Sequence, residues 1–372
     1  NRCLLFERPM AEKTKDTDFS YKPAAKRRQS QIFFDPHSYS AFPHVIQLEG
    51  DELLLAFRQA PKQDVVRHTH PRSLITLIRS YDNGQSWDIE NAAQMGAGGG
   101  QELGLIYFGK GKVGGALAAH EVVPVRESQR AGIAHLHEHE YPFDNVGGVW
   151  CWSDNYGLTW RVEHSTLFTN KMQSCAPPVQ LSDGTLLVPT YGAVGRATRS
   201  SAILHRSTDG GQTWSRLSTM AQGQPKTRHY HEPVVLELAP GHLLGLHRVA
   251  DPKGPSGLFW RNESFDSGET WSKPEVTAIR SGACPRLLKL HDGRLLLTYG
   301  RRFEPFGLYA SLSEDNGQTW GATSWLLRPA PNANQGYSSS IELDDGQIFT
   351  ACYAQNSRGT TGITGTVWHL PD

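Results

Sequence analysis

Short stretches of alternating apolar and polar residues recur along the whole chain. Two of them, Pro177–Tyr191 and Pro285–Gly300, each join two runs rich in leucine or valine through an Asp-Gly pair. Alternation with a period of two is typical of β-strands, and Asp-Gly between such runs is typical of tight hairpins. The pattern therefore predicts an all-β chain of short antiparallel strands.

One phrase of eight residues, S-x-D-x-G-x-[ST]-W, punctuates this pattern. Its serine and aspartate side chains can bond backbone N–H groups of a turn, its glycine adopts positive φ, and its tryptophan anchors the following strand. We call each copy a box and predict a structural turn there, without a catalytic role. The five boxes are Ser80–Trp87, Ser153–Trp160 (with Asn155 in place of Asp), Ser207–Trp214, Ser264–Trp271 and Ser313–Trp320.

Three strand patterns precede every box, and such self-similarity identifies a repeat architecture. After the fifth box, Ser338–Gln355 and Gly362–Leu370 open a sixth unit without an outer strand. The unattached pattern Ser30–Asp35 supplies that strand if the two ends of the chain join. We predict a single six-bladed β-propeller over residues 30–372, closed by an N-terminal strand in the last blade, with residues 1–29 as a tail or wrapping arm.

Composition excludes several classes of partner. Lysine plus arginine equals aspartate plus glutamate at 37 each, and no basic run suggests nucleic-acid binding. No apolar stretch approaches the roughly 18 residues of a membrane span. The five cysteines lie far apart without a C-x-x-C pair, which predicts packed free thiols. These thiols and the lack of a signal-peptide core favour a cytoplasmic location, and the oligomeric state is left open.

Histidines raise the question of a metal site. His135–His139 holds three imidazoles at alternate positions, and two further His-x-His pairs occur at His68–His70 and His229–His231. The first run falls in a polar loop, Ala131–Asn145, which accounts for the extra length between the first two boxes. Without a carboxylate at metal-ligand spacing, the run predicts a polar loop, so we expect neither a metal nor another cofactor.

In a propeller, the starts of first strands and the ends of second strands converge on one mouth of the central channel. Arginine, acidic and tyrosine residues occupy many of these positions. Arginine binds carboxylates through two parallel hydrogen bonds, and a tyrosine beside a carboxylate can act as a nucleophile. The groups predict a site for an anionic ligand, or else structural ion pairs among themselves. They include Arg58, Glu102, Tyr191, His231, Glu232, Arg248, Arg286, Arg301, Arg302, Tyr337 and Tyr353.

Five boxes in a six-unit β chain resemble the sialidase (neuraminidase) superfamily, in particular bacterial sialidase-like proteins. Gln335–Ser339 is similar to the phrase that holds the family's nucleophile, which implies that role for Tyr337. His231–Leu238, followed by Arg248, is similar to the phrase of the family's base. The resemblance implies that Glu232 is the base. It implies carboxylate binding by Arg248 and by an arginine at the end of the second strand of unit five, where Arg301 and Arg302 both stand and we select Arg301. His231, beside Glu232 at the mouth, is expected to contact the substrate.

Blade one departs from that family. Ala41–Pro43 replaces an R-I-P phrase, so one carboxylate-binding arginine is missing, and only Arg58 or Arg72 is near enough in sequence to replace it. The family's general acid precedes the first box, where this chain offers Asp64 and His70. An unperturbed imidazole titrates near pH 6.5 and suits proton transfer at neutral pH, so both candidates stay open.

These features predict an exo-acting glycoside hydrolase that releases a terminal acidic sugar, a sialic acid or related ulosonic acid, through a retaining mechanism. Two alternatives remain. One is polysaccharide lysis next to a uronic acid, with His70 or His231 as proton carrier and Tyr337 as acid. The other is a non-catalytic propeller that binds acidic glycans.

Overall fold

The computed structural model describes residues 19–62, 70–96, 100–122, 143–195, 197, 199–224, 227–250 and 257–370. All regular secondary structure in these ranges is β, as predicted. Among the same residues, no helix is long and apolar enough to cross a membrane. The strands form six sheets around a common axis, and each sheet is one blade.

Four strands in antiparallel order make each blade, and the first strand of each lines the axis. Blade one contains β3 (Ser38–Gln47), β4 (Leu53–Pro61), β5 (Leu74–Ser80) and β6 (Asp88–Gly96), and blade two β7 (Leu103–Tyr107), β8 (Val113–Val122), β9 (Phe143–Ser153) and β10 (Arg161–Asn170). Blade three contains β11 (Val179–Gln180), β12 (Leu186–Ala193), β13 (Ser200–Ser207) and β14 (Ser215–Ala221), and blade four β15 (His229–Ala239), β16 (His242–Ala250), β17 (Leu258–Ser264) and β18 (Glu275–Arg280). Blade five contains β19 (Gly282–Lys289), β20 (Leu295–Arg301), β21 (Gly307–Ser313) and β22 (Ser324–Pro329), and blade six β23 (Gln335–Glu342), β24 (Gln347–Gln355) and β25 (Thr361–His369).

The N-terminal segment closes the ring. β2 (Arg28–Phe33) pairs antiparallel with β25 and becomes the outer strand of blade six, which confirms the predicted closure. The strand begins two residues earlier than the pattern Ser30–Asp35 suggested. A short strand that we did not predict, β1 (Tyr21–Pro23), pairs in parallel with β22 and adds a fifth strand to blade five.

The boxes are turns between the third and fourth strands of the first five blades. In the last box, Ser313 Oγ donates to Asp315 Oδ1 at 2.7 Å and accepts the N–H of Gly317 at 2.8 Å. Asp315 also accepts the N–H and the hydroxyl of Thr319 at 2.8 and 2.5 Å. Side chains thus satisfy the turn's backbone donors, and Gly317 has a φ of 78°.

Each box also packs against the blade before it. A Cβ on Gly317 would lie 2.6 Å from the side chain of Leu244 in blade four, closer than van der Waals contact allows. The other box glycines meet the preceding blade in the same way, so the repeated phrase joins neighbouring blades as well as strands. The pairs are Gly84 with Phe349, Gly157 with Leu54, Gly211 with Trp150 and Gly268 with Leu204.

Four cysteines are buried free thiols, as predicted: Cys151, Cys175, Cys284 and Cys352. Cys3 lies outside the described residues. So do residues 131–142 of the predicted loop, which include His135–His139, whereas β9 begins at Phe143, within the stretch assigned to that loop. Within the described ranges, no group of three His, Cys, Asp or Glu side chains is arranged to hold a metal ion.

Candidate active site

Bulges interrupt the first strands of blades one, four and six near their mouth ends. The inserted residues, Phe42, Glu232 and Tyr337, have φ values of 59°, 46° and 47°. A non-glycine residue with positive φ is strained, and bulges at such sites re-aim a side chain. The register shifts are Ala41 to His44, His231 to Val234 and Gly336 to Ser339.

The bulges of blades four and six bring a tyrosine and a glutamate together. Tyr337 Oη donates to Glu232 Oε1 at 2.6 Å, and Arg248 Nη1 donates to the same oxygen at 2.7 Å. Tyr337 is 6% exposed and Glu232 4%. Glu232 Oε2 is buried and has no hydrogen-bond partner among the described residues, so one acceptor is left open in the site.

The pKa values of this pair shift in opposite directions. Burial would raise the pKa of Glu232, but the Arg248 guanidinium and the hydrogen bond from Tyr337 outweigh it, so this pKa lies below its ordinary value. Burial, and then the charge of Glu232, raise the pKa of Tyr337 well above its ordinary value. The resting pair is therefore a neutral phenol beside an ionised carboxylate that can accept its proton.

A second arginine of the site, Arg302, lies over the ring of Tyr337. Its guanidinium carbon lies 5.4 Å from the centre of the Tyr337 ring, and its Nη2 donates to Tyr353 Oη at 3.2 Å. Arg301, which we had selected, instead donates to the carbonyls of Arg280 and Glu304 at 3.1 and 3.2 Å. Its guanidinium covers the ring of Phe19 at 4.0 Å. Consecutive residues at a strand end point to opposite sides, which places Arg302 beside the Tyr337 ring and Arg301 beside Phe19.

Blade one contributes an aromatic wall at Phe42, next to the position where the related phrase has an arginine. Phe42 packs edge-on against Tyr337 and Tyr353, with ring centroids 4.9 and 5.4 Å apart. Ala41 is fully buried. Arg58 pairs with Ala41 across the strands, but its Nη2 donates to Ser73 Oγ at 3.0 Å and its guanidinium carbon lies 5.6 Å from the centre of the Tyr39 ring. Burial lowers the pKa of Arg58 to about 10.

Only one of the two candidates for the general acid lies among the described residues. Asp64 lies outside the described residues. His70 is buried, and its Nδ1 accepts the backbone N–H of Arg72 at 3.0 Å. Its carbonyl accepts the N–H of Ser73, the residue that also bonds Arg58. His70 thus belongs to the turn that leads into β5.

His231 precedes Glu232 in the first strand of blade four. It pairs across the strands with Arg248, and its ring lies 5.2 Å from Tyr191 and 5.1 Å from His229. Burial, and then the charge of Arg248, lower the pKa of His231 to about 3. The imidazole is therefore neutral at physiological pH and can donate or accept a hydrogen bond.

Blade two adds a buried carboxyl, Glu102, which the sequence placed at the mouth without a specific role. Glu102 precedes β7 and is 6% exposed, and its Oε2 lies 3.8 Å from Arg286 Nη2. The donors of Arg286 are directed elsewhere, to Cys284 Sγ at 2.6 Å and to the carbonyl of Cys175 at 2.5 Å. Burial raises the pKa of Glu102 to about 8, against the opposing charge of Arg286.

The structure thus brings together Tyr337, Glu232, Arg248 and His231, and it adds Arg302, Phe42 and Glu102. One sequence signal for the bulges is a residue-proline pair at the start of a first strand, as in Phe42-Pro43 and Glu232-Pro233. It identifies Phe42 as the blade-one counterpart of Glu232. Glu102 is followed by Leu103 and not by proline, so this signal does not identify it.

A family model described as the BNR repeat-like domain matches residues 143–350. The chain belongs to this BNR family. The sialidase of Micromonospora viridifaciens is 26% identical over 204 residues, which are 45% of this chain and 30% of that protein. Together with the six blades, these matches make the chain a sialidase-like BNR propeller. It spans much less than the whole length of that sialidase.

Solved structures share the fold of this BNR propeller. A protein of unknown function from Dyadobacter fermentans has a TM-score of 0.78 at 22% identity, covering 93% of this chain and 99% of that one. The Hadza microbial sialidase Hz136 has a TM-score of 0.65 at 20% identity, covering 90% and 66%. An α-L-arabinanase of Penicillium chrysogenum, complexed with arabinobiose, has 0.64 at 15%, covering 92% and 97%. At these identities the likeness concerns the fold.

Proposed function

We propose that this BNR propeller is a retaining exo-glycosidase that releases a terminal acidic sugar. The observation that carries the proposal is the contact of Tyr337 Oη with Glu232 Oε1, 2.6 Å long and buried in the mouth. A tyrosine is a weak nucleophile alone, but a carboxylate that takes its proton as the new bond forms activates it. The sialidase of Micromonospora viridifaciens, 26% identical over 204 residues, supports a glycosidase.

The charges around Tyr337 support an anionic sugar. Arg248 and Arg302 both lie beside it, and guanidinium groups bind carboxylates through paired hydrogen bonds. A carboxylate nucleophile would repel the carboxylate of such a substrate, whereas a neutral phenol does not. Tyrosine is therefore the suitable nucleophile for this substrate class.

The reaction has two steps. The Tyr337 oxygen attacks the anomeric carbon while its proton passes to Glu232, and the bond to the leaving group breaks as a general acid protonates the departing oxygen. Water then attacks the glycosyl-tyrosine and returns a proton to that acid, the tyrosyl C–O bond breaks, and the phenol recovers its proton from Glu232. Two displacements at one carbon retain its configuration.

Blade one limits the choice of sugar. Ala41 provides no guanidinium, and Phe42 places an aromatic edge beside Tyr337. We infer that the carboxylate is held by two arginines and that an apolar face of the sugar packs against Phe42. Ulosonic acids and uronic acids both satisfy these conditions, and the sialic acids are one member of the first class.

The test is a panel of aryl glycosides of sialic, other ulosonic and uronic acids, and of neutral sugars. We expect release of the phenol from at least one acidic glycoside, and a loss of about 10³-fold or more in Tyr337→Phe. Tyr309→Phe is the matched control, because Tyr309 is also buried but bonds the carbonyl of Pro305 at 3.1 Å, away from the mouth.

Two outcomes contradict the proposal. A product with a 4,5-double bond, detected by its ultraviolet absorbance, indicates a lyase that uses a histidine as proton carrier. Acidic glycans that bind, remain intact over long incubation and bind Tyr337→Phe equally well indicate a non-catalytic lectin-like propeller.

A further inference from the structure

We propose that Glu102 is the general acid of this site, the group that protonates the departing oxygen. This inference rests on the proposed glycosidase function. The related phrase directs attention to Asp64 or His70 of blade one, whereas Glu102 belongs to blade two. Glu102, Glu232 and Tyr337 each stand at the mouth end of a first strand, in blades two, four and six.

Burial and contacts place Glu102 at the same mouth of the channel as the pair Tyr337 and Glu232. The exposed fractions of Glu102, Glu232 and Tyr337 are 6%, 4% and 6%, so all three side chains are buried to a similar degree. Cys284 lies between the two residues, since its Sγ is 2.6 Å from Arg286 Nη1 and 3.9 Å from the backbone carbonyl oxygen of Glu232. Glu102 Oε2 is 3.8 Å from the same guanidinium.

The surroundings of the two carboxyls separate their roles. Glu232 receives hydrogen bonds from Arg248 and Tyr337, which stabilise its ionised form. Glu102 Oε2 lies 3.8 Å from Arg286 Nη2, beyond hydrogen-bond distance, and Arg286 donates instead to the Cys284 thiol and to the carbonyls of Cys175 and Pro285. Two carboxyls pushed in opposite directions by their environments are the usual signature of an acid and base pair.

Ionisable groups from five structural elements influence the proton on Glu102. Arg286 and the hydrogen bond from Cys175 favour loss of that proton, whereas burial and the negative charge of Glu232 oppose it. Burial dominates, and the pKa is raised to about 8. The neighbouring groups are Arg286 and Cys284 of β19, Cys175 before β11, Glu232 of β15, Tyr337 of β23 and Tyr353 of β24.

The proton balance of both steps is complete with this assignment. In the first step, the carboxyl proton of Glu102 passes to the glycosidic oxygen as its bond to the anomeric carbon breaks, while Glu232 takes the proton of Tyr337. In the second, the Glu102 carboxylate removes a proton from the attacking water, and Glu232 returns its proton to the tyrosine. Both carboxyls finish in their starting states.

Leaving-group dependence tests the role. On glycosides of the acidic sugar cleaved by the wild type, Glu102→Gln should lose about 10²- to 10⁴-fold in kcat/KM with weakly acidic leaving groups. With strongly acidic phenols, which depart without protonation, it should lose less than about tenfold. Asp64→Asn and His70→Gln test the two other candidates for the acid. Glu314→Gln, which changes an exposed carboxyl in the fifth box at the other end of the blades, is the control.

A second measurement needs no substrate. Glutamine has the shape of a protonated glutamate, so Glu102→Gln should keep the melting temperature of the wild type at pH 7. The infrared difference between the two proteins should contain the C=O band of a carboxylic acid, which disappears as pH rises through about 8. In the wild type, kcat/KM should fall over the same range.

Several results overturn the role of Glu102. One is an equal loss with all leaving groups together with a lower melting temperature, which indicates an ion pair with Arg286. Another is a leaving-group dependence in Asp64→Asn or His70→Gln but not in Glu102→Gln. Absence of the carboxylic-acid band is a third, and in these cases the glycosidase function stands. A wild type inactive on every acidic glycoside refutes both proposals together.

Discussion

The two ends of the blades are built on different principles. At one end, five boxes repeat nearly the same side-chain bonds, and each glycine packs on the blade before it. At the other end, bulges in three first strands share a backbone conformation but display different side chains: a phenylalanine, a glutamate and a tyrosine. Repetition therefore secures the ring, and variation at one bulge position gives each blade a different side chain at the mouth.

Within the mouth, blades one and six show how little the backbone needs to change. Phe42 and Tyr337 have φ values of 59° and 47° and stand in contact, their ring centroids 4.9 Å apart. One residue is an apolar surface and the other carries the hydroxyl that bonds Glu232. A substitution at the mouth should therefore alter turnover with little effect on folding, and one at a box should do the reverse.

The sharpest test of this division compares the neighbours Arg302 and Arg301. Arg302→Lys keeps the charge but loses the planar pair of donors beside Tyr337, so kcat/KM should fall about 10- to 100-fold, mainly through KM. Arg301→Lys is the matched variant. It should lower the melting temperature, because Arg301 bonds two backbone carbonyls and covers Phe19, and leave KM close to wild type.

The opposite pattern contradicts the placement of these arginines. If Arg301→Lys raises KM and Arg302→Lys mainly destabilises, then Arg301 contacts the substrate. Activity assays and thermal unfolding of both variants are sufficient to decide.

The sequence predicts the box end of the blades more completely than the mouth end. The boxes and Asp-Gly hairpins predicted six blades and their closure, because these signals depend on neighbours along the chain. The pair Tyr337 and Glu232 was accessible through phrases resembling a known family. Arg302 was named only as an alternative. Alternation along a strand assigns neighbouring residues to two faces, but it does not tell which face points toward the axis.

The environment of Glu102 cannot be predicted from local sequence patterns. Its pKa shift depends on burial and on Arg286, which is contributed by a blade distant in sequence. Phe42 illustrates the same limit, because its contacts with Tyr337 and Tyr353 exist only once the first and last blades meet. Depth in the channel and contacts across the ring are properties of the closed fold.

The acidic side of the pH profile gives an effect of intermediate size. The pKa of Glu232 lies below its ordinary 4.5, because Arg248 and Tyr337 outweigh burial. A base must be ionised to act, so kcat/KM should stay nearly constant from pH 7 down to about 4.5 and decline only below it. A decline near pH 6.5 would instead indicate an essential histidine with an ordinary pKa. That histidine would not be His231, whose pKa is about 3.

The smallest effect is expected at a box, in Asp315→Asn. Blade two already contains this change, where Asn155 Oδ1 accepts the N–H of Thr159 at 2.9 Å and its Nδ2 donates to the Thr159 hydroxyl at 2.9 Å. In the fifth box the Thr319 hydroxyl donates to Asp315 at 2.5 Å, so the amide reverses one hydrogen bond and keeps the geometry. The unfolding free energy should change by no more than about 0.5 kcal/mol.

Asp315→Ala is the matched comparison, because it removes the acceptors of Ser313, Thr319 N–H and the Thr319 hydroxyl together. It should cost about 1 to 2 kcal/mol, since the site is open to water, which replaces part of what is lost. Both variants should retain wild-type kcat/KM per folded molecule. Loss of turnover in either one, without unfolding, would show that the box end and the mouth are coupled, and the separation of fold from chemistry between the two ends of the blades would then be wrong.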